Sequence, residues 1–169
     1  MTESRTPLIL RVIPHLPKAE KVFLTGLAIG IILLYSNGSG KILVQVSLGA
    51  LAIIFFLSAF TLLDVPRTKD EPFEFKELLT WIIIPKILWI GSAFSLLGLL
   101  VYSLQLGHGG YMRALMPGGS SIAIGLLVIL YSWLTGTKHL SVLVPTLLRV
   151  VPVMLVALYI VWVTIKNQG

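Results

Sequence analysis

The chain has no cysteine, few charges and only seven acidic side chains, and each scarcity excludes some chemistry. Without cysteine there are no disulfides, thiolate metal sites or thiol nucleophiles, and the redox compartment goes unmarked. The three histidines, His15, His108 and His139, fall in flanks or loops with no second ligand at metal spacing, so no metal is expected. Nor does the sequence offer a nucleophile–base pair, a phosphate-cradling loop with a lysine, or paired intramembrane carboxylates. Its acids are Glu3 and Glu20, ahead of the first apolar stretch, and Asp64, Asp70, Glu71, Glu74 and Glu77 in one mid-chain linker. Proton- and cation-coupled machines keep a carboxylate within the membrane. By this placement the chain keeps none, and it reads as non-catalytic and without a cofactor.

What fills the chain instead is apolar. Hydrophobic residues make up 56% of 169 and charged ones 12%, and the mean hydropathy is +0.95, which excludes an ordinary soluble domain. Apolar runs approach the ~20 residues that cross a bilayer. The net charge of +6 comes from basic residues flanking those runs, the arrangement of topology signals and not of a nucleic-acid surface. The fold class is therefore all-α: a polytopic membrane bundle of four to five transmembrane helices, arranged as two hairpins plus a C-terminal segment.

Residues 1–21 read as a cytoplasmic or interfacial N-terminus. Pro7, Pro14 and Pro17 break any signal-peptide pattern there, so the first membrane helix serves as its own insertion signal. Residues 22–63 form the first hairpin, with spans over Val22–Ser36 and Ile42–Leu63 joined by Asn37-Gly38-Ser39-Gly40. Residues 64–84 form a charged cytoplasmic linker and an interfacial helix, which Pro85 kinks into the third span, Ile87–Leu106. The second hairpin, 85–135, continues through a loop ending at Pro117-Gly118-Gly119 and a short fourth span, Ser121–Leu134. Residues 136–169 are a C-terminal apolar segment whose Pro145, Arg149 and Pro152 leave open whether it crosses. Lysines and arginines concentrate on the side of the N-terminus, which orients that terminus toward the cytoplasm.

The polar and small residues inside the spans are the candidates for function. Gly26 and Gly30 make a GxxxG, and Gly91 with Ser95 and Ser121 with Gly125 make small-xxx-small pairs, which let helices approach closely, within the bundle or at a subunit interface. Gln45 and Ser47 are placed to hydrogen-bond a neighbouring helix or a polar ligand. Lys86 snorkels to the cytoplasmic headgroups. Arg149 is the costliest residue: with no acid in the chain's own spans to neutralise it, it snorkels or pairs with a lipid headgroup or a partner protein's acid.

A weak repeat relates the hairpins. Both begin with Pro-Lys (Pro17-Lys18 and Pro85-Lys86), and both first helices end alike, Leu33-Leu34-Tyr35-Ser36 and Leu100-Val101-Tyr102-Ser103. The stretch Ala52-Ile53-Ile54-Phe55-Phe56-Leu57-Ser58-Ala59-Phe60 resembles the second membrane helix of the Bacteroidota gliding-motility and type IX secretion motor protein. Gln105-Leu106-Gly107-His108-Gly109-Gly110-Tyr111-Met112 is a partial likeness of that family's hairpin loop. The family carries a glutamate just before the Ala-x-x-Phe-Phe stretch, where this chain has Leu51. The resemblance thus implies the hairpin fold and a bacterial inner-membrane location without the motor's acid.

Two functions fit this reading. One is a non-catalytic subunit or assembly factor of a larger inner-membrane complex, its partners being membrane lipids and other integral membrane proteins and not nucleic acid. The other is a small transporter or channel for a neutral or lipidic substrate, its cavity opened by the prolines.

Overall fold

Proline is the second residue of three helices, at Pro17, Pro85 and Pro145. The computed structural model describes residues 13–61, 78–105, 110–136 and 140–166. Helix α1 (Leu16–Asn37) follows a short 3-10 turn and carries Pro17 in its first turn, where a missing N–H leaves no intrahelical bond unmade. It stops at Gly38, whose φ of 74° is left-handed and whose N–H donates to the Leu34 carbonyl at 3.1 Å. Helix α2 (Lys41–Ser58) returns at once, giving a tight antiparallel hairpin. Helix α3 (Ile84–Leu104) has Pro85 in its first turn and is preceded without a break by a π-helical turn, Leu79–Ile83. Helix α4 (Met112–Leu134) and helix α5 (Val144–Lys166, led by a 3-10 turn over Leu140–Leu143) complete the described elements. All five are long and apolar enough to cross a membrane, and every described element is helical.

Several sequence boundaries move. The first span begins at Leu16, not Val22, so Lys18, Glu20 and Lys21 belong to α1 and not to an N-terminal flank. The expected interfacial helix is displaced as well: Leu79–Ile84 lie in the third span, whose apolar stretch runs Leu79–Leu104. The fourth span is not short, because α4 runs straight through Pro117-Gly118-Gly119. The Ser121 hydroxyl, one turn further along the helix, donates to the Pro117 carbonyl at 2.7 Å. The C-terminal segment is one helix through Pro152, with Arg149 inside it. The acidic linker residues Asp64, Asp70, Glu71, Glu74 and Glu77, together with His108 and His139, lie outside the described residues.

The bundle is built around α3, which packs on α2, α4 and α5, while α1 rests chiefly on α2. Half of the most apolar window of α3 is buried, against 11% for α1 and α5, so the first and last helices are the peripheral ones. The larger core cluster includes Leu51, Phe55, Trp89, Leu96 and Leu115, and the Phe55 and Trp89 rings meet edge to face at 5.0 Å. A second cluster, Ile84, Leu88, Ile122 and Val150, ties α3 to α4 and α5. Thr80 and Ser132 share a buried hydroxyl contact of 3.1 Å that links the π-turn to the end of α4.

Pro17 and Pro85 occupy the same first-turn position of α1 and α3, as Pro145 does in α5, and Tyr35 and Tyr102 both stand exposed in the last turn. Placement at the helix ends suits tyrosine, with an apolar ring and a polar tip.

Candidate functional site

Starting α1 at Leu16 changes the standing of one residue. Glu20 lies a full turn inside the helix, its side chain only 6% exposed, and its Oε1 meets the Nε of Arg149 at 3.2 Å. The expectation that Arg149 has no acid in the chain's own spans is therefore wrong: the acid is Glu20. At 1.5 Å per residue, both lie about 6–8 Å in from the starts of α1 and α5. Those starts share one end of the bundle, because α1, α3 and α5 run parallel. Arg149 also sits 6.0 Å from the centroid of the Trp89 ring, within reach of a cation–π contact. Its side chain stays 40% exposed, and among the described residues Glu20 is its one ion-pair partner, through Nε.

Beside this pair lies a cleft of about 490 Å³, in the ~300–1,000 Å³ range of small-molecule sites. Four helices wall it. Leu27 and Ile31 of α1, Leu48 and Phe55 of α2, Leu96 and Leu99 of α3, and Val153 and Val156 of α5 supply an aliphatic and aromatic lining. The polar residues on it stand at its extremes, Glu20 and Arg149 at one end and Tyr102 with Ser103 at the other. Leu24 and Ile31 on α1 and Leu148 and Val156 on α5 are all exposed, so the cleft opens sideways between these two helices. From Glu20 to Ile31 it extends about 16 Å along α1, roughly half of a ~30 Å hydrocarbon core.

The small residues have a different role. A Cβ on Gly26 would stand 3.0 Å from the Ser47 Oγ, and one on Gly30 would meet the Val44 backbone nitrogen at 3.0 Å, so the GxxxG seats α1 on α2. Gly91 faces the Gly118 carbonyl and Ser121, Ser95 faces Gly118, and Gly125 faces Leu88, which together form the α3–α4 crossing. These residues are spent within the bundle, as the packing alternative has it. Gln45 donates from Nε2 to the Ser103 carbonyl at 3.2 Å, the expected bond to a neighbouring helix, whereas Ser47 makes no hydrogen bond and packs on Gly26. Lys86 is exposed at the end where α3 begins.

The sequence did not single out Glu20, Trp89 or Gly118 as site residues, nor Gly98, where a Cβ would lie 2.7 Å from the Leu115 side chain. Pro17 was the available signal for Glu20, since a proline one residue into a helix places its start at Leu16. No comparable signal marks Trp89, which comes to Arg149 only through tertiary packing. Among the described residues no group of three or more metal-ligating side chains comes together.

These features define a five-helix membrane bundle with a sideways-opening apolar cleft headed by an ion pair. Comparison with family models, curated proteins and solved structures finds no match to the chain.

Proposed function

We propose that this chain is a non-catalytic bacterial inner-membrane protein, N-terminus in the cytoplasm, that takes a lipidic substrate sideways from the bilayer into the α1–α5 cleft. Of the two functions the sequence allows, this is the small transporter for a lipidic molecule. The carrying observation is the cleft itself: apolar along its length, polar only at its ends, and open to the side where lipid chains stand. A channel is a poorer fit, because the cleft covers about half of the ~30 Å hydrocarbon thickness and its middle offers nothing to replace a hydration shell. The subunit reading loses two supports, since Arg149 is paired within the chain and the small residues are used internally. It keeps one: the outward faces of α1 and α5 are apolar and exposed, as a surface for another membrane protein would be. The bacterial inner-membrane location rests on the hairpin resemblance and the positive-inside pattern.

The test is mass measurement of the intact protein gently extracted from its native membrane, with identification of whatever stays bound. Retained lipid that is lost in Leu27→Trp and Val153→Trp, which fill the cleft, supports this reading. A reproducible assembly with other proteins and no retained lipid returns the chain to the subunit reading.

A further inference from the structure

We infer that the cleft selects a phospholipid over a lipid without phosphate, its phosphate bound by the outward-facing guanidinium of Arg149 and its chain lying in the cleft below; this rests on the lipid-binding reading above. Three observations converge on it. First, Arg149 engages Glu20 through Nε, and among the described residues no carboxylate is paired with its terminal Nη groups, although its side chain is 40% exposed. A guanidinium carries five donors in a rigid fork, so one carboxylate on Nε leaves the bidentate edge available for a phosphate. Second, its direction is fixed. Glu20 is nearly fully buried behind it and the Trp89 ring lies 6.0 Å from it, so the group is held at the end of the cleft before any ligand arrives.

Third, charge and depth agree. Lys18, Lys21 and Lys86 are exposed at the same end of the bundle. The pair stands about 6–8 Å in from the helix starts, where a headgroup drawn slightly inward meets the guanidinium while its acyl chain occupies the ~16 Å below. A headgroup without a phosphate would leave the Nη donors unmatched, and a free phosphate would leave the apolar lining empty. Glu20 is a positioning residue here: it aims Arg149 and touches no ligand.

The test uses the full chain purified into nanodiscs of the phosphate-free galactolipid digalactosyldiacylglycerol containing phosphatidylglycerol as the minor lipid, with retained lipids counted by native mass spectrometry. Charge-assisted hydrogen bonds of this kind give a preference of about tenfold or more for phosphatidylglycerol. The paired variant Glu20→Gln with Arg149→Gln keeps shape and hydrogen bonding without an orphaned charge. It should reduce the preference for phosphatidylglycerol to near unity, the loss falling on that lipid. Arg149→Lys, which keeps the charge, should retain a reduced preference. Excess inorganic phosphate should leave the bound lipid in place. Equal retention of the two lipids by the wild type, an unchanged preference in the paired variant, or displacement by inorganic phosphate overturns the inference while leaving lipid binding intact. A wild type that retains neither lipid overturns the lipid-binding reading as well.

Discussion

Removing Arg149 and removing Glu20 should not be equivalent, although each breaks the same ion pair. Arg149→Leu leaves behind a carboxylate whose side chain is only 6% exposed. Stripping one partner from a buried pair costs about 3–5 kcal/mol, because the remaining charge has neither water nor a counter-ion. Glu20→Leu leaves the guanidinium, whose side chain is 40% exposed and which can extend toward headgroups on its aliphatic stem. That loss should be about 1 kcal/mol, the scale of an exposed pair. Replacing both residues by leucine leaves an apolar contact between α1 and α5 and should restore stability to within about 1 kcal/mol of the wild type. The double-mutant cycle then closes with a coupling of about 3–6 kcal/mol. The assay is reversible unfolding of the full chain in mixed micelles, titrated with a denaturing detergent and followed by helical circular dichroism. If the single variants lose equal stability, or if the two losses simply add in the double variant, the pair does not join α1 to α5 as reasoned.

The α3–α4 crossing supplies a contrast between adjacent glycines. A Cβ on Gly118 would lie 2.6 Å from the Ser95 Oγ and 2.8 Å from the Gly91 carbonyl, whereas one on Gly119 meets nothing within 4 Å. Gly118→Ala should therefore cost about 1–3 kcal/mol in the same unfolding assay, and Gly119→Ala should be neutral or gain up to ~1 kcal/mol. Gln45→Leu removes the bond to the Ser103 carbonyl and should cost about 0.6 kcal/mol, the average for such bonds between membrane helices. Gln105, which ends α3 with a φ of 56°, should be improved by glycine: Gln105→Gly is expected to stabilise by about 1 kcal/mol. Leu27→Trp, which adds bulk on the cleft wall, should abolish lipid retention while the helical circular dichroism of the folded protein is kept.

The membrane-bundle architecture was legible because it depends on apolar length, which is local. The ends of α1 and α3 were legible for a similar reason, Pro17 and Pro85 being start signals and Tyr35 and Tyr102 end signals. Where the sequence misled, a local signal had been given the wrong weight. Pro117-Gly118-Gly119 looks like a turn, yet Gly118 is needed for close approach to Gly91 and Ser95, and tertiary packing keeps the helix intact through the proline. Glu20 looked external because charges at Lys18, Glu20 and Lys21 suggested a flank, but two of these face outward and only the third turns inward. The cleft was not legible at all. It depends on α1 and α5 diverging while both hold to the rest of the bundle, and that geometry belongs to no single segment.

The ion pair also orders events during synthesis. Glu20 is made more than a hundred residues before Arg149, so α1 enters the bilayer long before its counter-charge exists. At about 5–20 residues per second the wait is on the order of ten seconds. Throughout it the carboxylate must be kept near the headgroups, beside Lys18 and Lys21, and only the arrival of α5 draws it inward. Formation of the pair therefore records that α5 has reached α1.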